Sequence, residues 1–110
     1  MNNLSETIYG EESSEFIVYI YSPYCSHCQS VMSSETYQRF ITYPPLRLYK
    51  INVLDLTDNN KDFLKTFNIT GVPLMLRVKR INQGVYEVEQ YSGSINCLNL
   101  LNSYLNNENH

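Results

Sequence analysis

The stretch Phe16-Ile17-Val18-Tyr19-Ile20-Tyr21-Ser22-Pro23-Tyr24-Cys25-Ser26-His27-Cys28 decides how this 110-residue chain is read. Its first six residues are apolar, aromatic or β-branched without a break, as expected of a strand buried on both faces inside a parallel sheet. Pro23 stops the strand. From Ser26 to about Tyr43 the spacing turns helical, with Val31, Met32, Glu35, Thr36, Phe40 and Ile41, and Pro44-Pro45 ends the helix. Two cysteines therefore lie where a buried strand gives way to a helix. Cys25 falls at the helix N-terminus, and Cys28 one turn inside it on the same side.

Working outward, residues 46–53 alternate and predict a second strand. A helix is expected from Asp58, a suitable N-cap, with Phe63, Leu64 and Phe67 on one face. Gly71-Val72-Pro73 breaks the chain. Residues 74–80 and 85–91 predict an antiparallel hairpin about a tight loop holding Gly84. After Gly93, Ser94 can cap a last helix with Leu98, Leu101 and Leu105 on one stripe, and the polar tail 106–110 is expected to fray. Before the first strand, the sparse apolar pattern of Leu4, Ile8 and Tyr9 suggests a short helix opened by Ser5. The order is β-α-β-α-β-β-α. A right-handed crossover makes the first two strands parallel, and the hairpin adds antiparallel strands to the same sheet. The expectation is one α/β domain, residues 1–110, with a mixed four-stranded sheet flanked by helices.

Composition narrows the partners. A net charge of −3 with both signs interspersed argues against nucleic acid or an anionic membrane as partner. No apolar run approaches the ~18 residues of a membrane span. The first twenty residues carry no Lys or Arg ahead of an apolar block, so no signal peptide is visible and a cytoplasmic monomer is expected. Three cysteines do not make a disulfide scaffold.

Two cysteines three apart point to redox or metal chemistry. A thiol at a helix N-terminus faces unsatisfied N–H groups and the positive end of the dipole, which favour thiolate. Such a thiolate attacks a substrate disulfide, and a second thiol within reach then breaks the mixed disulfide. Two other readings compete. The pair could be buried structural thiols. Alternatively, Cys25, His27 and Cys28 could bind zinc, which needs four ligands, with Cys97 or His110 left to complete the set. Cys97 by itself reads as a small buried hydrophobe.

Over nearly its whole length the chain resembles the thioredoxin family. The resemblance rests on the 16–21 strand, Cys25-Ser26-His27-Cys28, Lys50-Ile51-Asn52-Val53, Gly71-Val72-Pro73 and Gly93. It implies a cis peptide before Pro73, packed beside the cysteine pair, and a Val72 backbone that receives an extended substrate segment. It also implies that Gly93 keeps the surface beside the nucleophile open. No metal or organic cofactor is implied, because the dithiol carries the electrons.

Departures from the family pattern carry information. Thioredoxins usually have Trp-Cys-Gly-Pro-Cys, whereas this chain has Tyr24-Cys25-Ser26-His27-Cys28. A histidine before the second cysteine resembles the disulfide-isomerase and bacterial oxidase branches, and implies a potential more oxidising than that of ordinary thioredoxin. Tyr19 stands where many relatives carry a buried acid, so Lys50 has lost the carboxylate partner it has in them. Cys28 must then lose its proton with help from water, His27 or the Tyr19 hydroxyl. Ser33 replaces a proline that kinks this helix in many relatives. Few residues precede Cys25, so the family's edge strand is expected to be missing or vestigial.

The expected function is thiol–disulfide exchange with protein substrates, recycled by a reductase or thiol pool. Cys25 is the expected nucleophile, Cys28 the resolving thiol and His27 the tuning group, with Tyr24, Val72, Pro73 and Gly93 facing substrate. A glutaredoxin-like use of glutathione, and a binding module without redox turnover, are the alternatives.

Overall fold

The computed structural model describes residues 14–55, 71–82 and 84–108. The expected helices at the N-terminus and after Asp58 lie outside the described residues. Those described form β1 (Glu15–Tyr21), α1 (Ser26–Ser33), α2 (Glu35–Thr42), β2 (Leu48–Asn52), a 3-10 turn (Val53–Asp55), β3 (Leu74–Asn82), β4 (Val85–Ser92) and α3 (Ser94–Glu108). The four strands make one mixed sheet in the order β2-β1-β3-β4.

β1 lies inside the sheet, its side chains apolar on both faces. It pairs parallel with β2, Tyr19 opposite Lys50, and antiparallel with β3, Tyr19 opposite Met75. Phe16, Val18 and Ile20 join Ile51, Leu74, Leu76 and Val78 in one core. Ile17 and Tyr19 point the other way and pack with Val31, Tyr37, Phe40, Met75, Cys97, Leu100, Leu101 and Leu105 beneath the helices. Strand side chains alternate in direction, so a single continuous apolar run serves two cores. β3 and β4 form the expected hairpin, with a register irregularity between Arg80 and Asn82 and Gly84 at φ +78° in the turn.

Three expectations need correction. The long helix is two helices, broken at Ser34, whose backbone is extended at φ −71° and ψ 151°. Its hydroxyl accepts the Tyr37 N–H at 3.1 Å and donates to the Val31 carbonyl at 2.6 Å. A serine that satisfies both helix ends breaks the helix, one residue after the Ser33 position at which a kink was expected to be lost. Secondly, Gly93 at φ +86° precedes the last helix, and Ser94 is its first helical residue rather than its cap. Thirdly, that helix continues to Glu108 instead of fraying after Leu105. Its buried stripe runs through Cys97, Leu100, Leu101 and Leu105, with Leu98 on the flank.

Candidate active site

The chain turns out of β1 on a local hydrogen-bond network. The Ser22 carbonyl accepts the Cys25 N–H at 3.2 Å, and the Ser22 hydroxyl accepts the Tyr24 N–H at 3.2 Å. Gln29 reaches back to the Pro23 carbonyl at 3.2 Å. This turn delivers Cys25 to the N-cap of α1, where its sulfur takes the place of a capping oxygen. Sγ accepts the Cys28 N–H at 3.2 Å. A thiolate accepts such a bond far better than a thiol, because the donor is one of the orphan N–H groups at a helix start.

The second wall of the site comes from the start of β3. The Val72–Pro73 peptide is cis. The Cys25 thiol donates to the Val72 carbonyl at 3.7 Å, which brings residues 47 positions apart in the sequence into contact. The Pro73 carbonyl accepts the Gly93 N–H at 2.9 Å, so the turn into α3 is tied to the same wall. His27, Val72, Pro73, Gly93 and Ile95 line a shallow groove of about 360 Å³ here. Tyr24, next to Cys25 in the chain, is 87 % exposed. A Cβ at Gly93 would meet nothing within 4 Å. Glycine is thus required by the positive φ, in addition to any role in keeping the surface open.

Cys28 differs from Cys25 in environment. It is fully buried, and burial is the main reason its thiol is pushed up to about 11; a hydrogen bond with Cys25 adds to this. The nearby Tyr19 hydroxyl, which donates to the Cys28 carbonyl at 3.2 Å, works against the rise. Cys97 is also fully buried, its thiol donating to the Tyr91 carbonyl at 3.3 Å, and burial pushes it up to about 12. All three cysteines are free thiols. Among the described residues no group of three His, Cys, Asp or Glu side chains converges to hold a metal ion.

The chain, whose free cysteine pair lies at a strand-to-helix junction beside a cis proline, matches the thioredoxin family model over residues 2–106. The chain belongs to the thioredoxin family. This thioredoxin-family protein shares its fold with the thioredoxin of Trichomonas vaginalis, at TM-score 0.69 and 13% identity over 94% of each chain. It is also similar to Plasmodium falciparum thioredoxin, at TM-score 0.65 and 17% identity over 94% of this chain and 96% of that one. Mitochondrial thioredoxin 3 of Saccharomyces cerevisiae, in its oxidised form, gives TM-score 0.61 and 19% identity over 88% and 84%. No curated protein matches by sequence.

The structure brings together Cys25, His27, Cys28, Val72, Pro73 and Gly93, while Tyr24 is exposed on the turn before Cys25 and does not line the groove. Lys50 is not part of this group: it is exposed, with its ammonium 4.9 Å from the centre of the Tyr21 ring. Ile95 was not anticipated. It is 75% exposed on the groove, and its signal is an apolar residue off the buried stripe of α3, directly after Gly93-Ser94.

Proposed function

We propose that the protein is a thiol–disulfide oxidoreductase that exchanges disulfides with protein substrates through Cys25 and Cys28. The Cys25 thiolate attacks a substrate disulfide, forming a mixed disulfide and releasing one substrate sulfur as thiolate. Cys28 loses its proton to solvent and attacks Cys25 Sγ. The Cys25–Cys28 disulfide forms, the bond to substrate breaks, and the departing thiolate takes up a proton. A reductase or thiol pool reverses the oxidation. The observation that carries this reading is the placement of Cys25 Sγ, which accepts a helix-terminal N–H from Cys28 and contacts the Val72 carbonyl beside cis Pro73.

Val72 and Pro73 supply a backbone wall for an extended segment, while Tyr24 and Ile95 supply exposed apolar surface. Among the described residues lining the groove there is no Lys or Arg to meet the carboxylates of glutathione. That favours a protein segment over the tripeptide. His27, on the groove wall one residue before Cys28, supports a couple more oxidising than ordinary thioredoxin, because a cationic imidazole stabilises the reduced, thiolate form.

Trapping tests the central claim. A Cys28→Ser variant should accumulate mixed disulfides through Cys25, and Cys25→Ser should abolish turnover. Full function in Cys25→Ser would establish a binding module instead. Titration against glutathione should give a potential above about −270 mV, where thioredoxin sits. A value at or below that removes the more oxidising assignment.

A further inference from the structure

Cys25 works from a position that α1 itself does not secure. As the N-cap it lies outside the helix, its backbone extended at φ −97° and ψ 116°. Its sulfur reaches the Cys28 N–H only while the turn before it holds that conformation. Of residues 23–25, Pro23 brings no N–H. The other two N–H groups both go to Ser22. Its hydroxyl accepts from Tyr24 and its carbonyl from Cys25, each at 3.2 Å.

Gln29 closes the same segment from the helix side. Its backbone N–H donates to the Cys25 carbonyl at 3.0 Å, an ordinary helical rung. Its side-chain amide donates to the Pro23 carbonyl at 3.2 Å. That second bond is no part of the helix pattern, which reaches four residues back, whereas this one reaches six. A single residue of α1 thus grips carbonyls on both sides of Tyr24.

We infer that Gln29 is a positioning residue for the nucleophile: with Ser22 it clasps residues 22–25 in the conformation in which Cys25 Sγ accepts the Cys28 N–H. This rests on the exchange reaction proposed above. Gln29 acts through the Pro23 carbonyl, at one remove from the sulfur. A clasped turn has its ordering cost met before the reaction, so the thiolate finds its helix-terminal donor already in place.

The test follows the reduced protein in stopped flow with dithiobis-nitrobenzoate, a chromogenic aromatic disulfide. In the first phase the Cys25 thiolate bonds to one probe sulfur, the probe S–S bond breaks, and its electron pair leaves on the coloured thiolate. Gln29→Met keeps the length of the side chain and loses the donor. It should slow this phase roughly threefold, the scale of one net hydrogen bond. Ser22→Ala should slow it similarly, and Ser22→Thr, which keeps the hydroxyl, should restore it. Ser30→Ala removes a bond of the same helix that bypasses the turn, from the Ser30 hydroxyl to the Ser26 carbonyl at 3.1 Å, and should change nothing.

A first phase unaffected by Gln29→Met overturns the inference. So does an equal loss in Ser30→Ala, or a Ser22→Thr variant as slow as Ser22→Ala. Absence of a first phase in the unaltered protein would instead overturn the exchange reaction. Gln29 is then decided by amide hydrogen exchange. Gln29→Met should speed exchange at Tyr24 and Cys25 about threefold, where Ser30→Ala does not. Unchanged protection of those two amides overturns the inference.

Discussion

Cys25 and Cys28 share a motif but not an environment, and the difference has kinetic consequences. Cys25 is partly exposed at the helix start, whereas Cys28 is enclosed and its thiol is pushed up to about 11. Below that value the reactive thiolate is a minority species, and its population changes about tenfold for each pH unit. The resolving step should therefore accelerate with pH from about 6 to about 10, in single-turnover measurements where the first step is saturated. A rate flat across that range contradicts the assignment. His27 makes a separate prediction: His27→Ala should lower the reduction potential of the couple in a glutathione titration, because the imidazole no longer favours the reduced form. The Cys-Ser-His-Cys motif and its partner Pro73 were legible in the sequence. The Tyr19 hydroxyl was one of three groups the sequence left open beside Cys28; that it donates to the Cys28 carbonyl was not legible, because nine residues separate them and the turn at Ser22 and Pro23 folds α1 back over β1.

At the scale of elements, the break between α1 and α2 depends on one side chain. Ser34 accepts from Tyr37 and donates to Val31, so Ser34→Ala leaves both helix ends without their side-chain partner. The expected cost is about 1 kcal/mol, read as a lower urea midpoint at unchanged slope. Gly93 tests backbone against space. Gly93→Ala places its methyl where nothing lies within 4 Å, yet forces φ +86° on an L-residue, so a loss of about 1 kcal/mol should come from the backbone alone. The helix break had a signal in the periodicity that went unread: Phe40 lies nine positions after Val31, about two and a half turns, so an uninterrupted helix would put these two buried residues on opposite faces. Strand assignments were easier. β1 is continuous in apolar character, β2 alternates, and the hairpin carries its glycine, so local pattern and tertiary demand agree.

For the whole molecule, the groups that oppose one another across the sheet set the pH range of stability. Arg77 on β3 joins Glu15 of β1 at 2.7 Å, Tyr104 of α3 at 2.6 Å and Glu89 of β4. Burial alone would raise the Glu15 carboxyl, but the hydrogen bonds from Tyr104 and Arg77 outweigh it and hold the group below its ordinary 4.5. That stabilisation is present above 4.5 and is lost as pH falls through the lower folded value. Cys28 and Cys97 have the opposite sign. The folded protein keeps their protons while the unfolded chain sheds them near 9.0, so stability declines as pH climbs from there toward 12. Urea midpoints should therefore be highest between about pH 5 and about pH 9. Arg77→Met should weaken the acid-side dependence and leave the alkaline side intact, whereas Cys97→Ala should do the reverse.

The amino-acid sequence by itself determined the element types, the strand that lies in the middle of the sheet, and the site of the reactive pair. Each of these is written in short-range patterns: apolar continuity, proline and glycine punctuation, and a three-residue cysteine spacing. Only the tertiary structure decided what stands against that pair. The Val72 carbonyl reaches Cys25 and the Tyr19 hydroxyl reaches the Cys28 carbonyl through packing of distant elements, and no local pattern records such a distance. Burial is likewise a property of the assembled core, which is why two cysteines of one motif carry different chemistry.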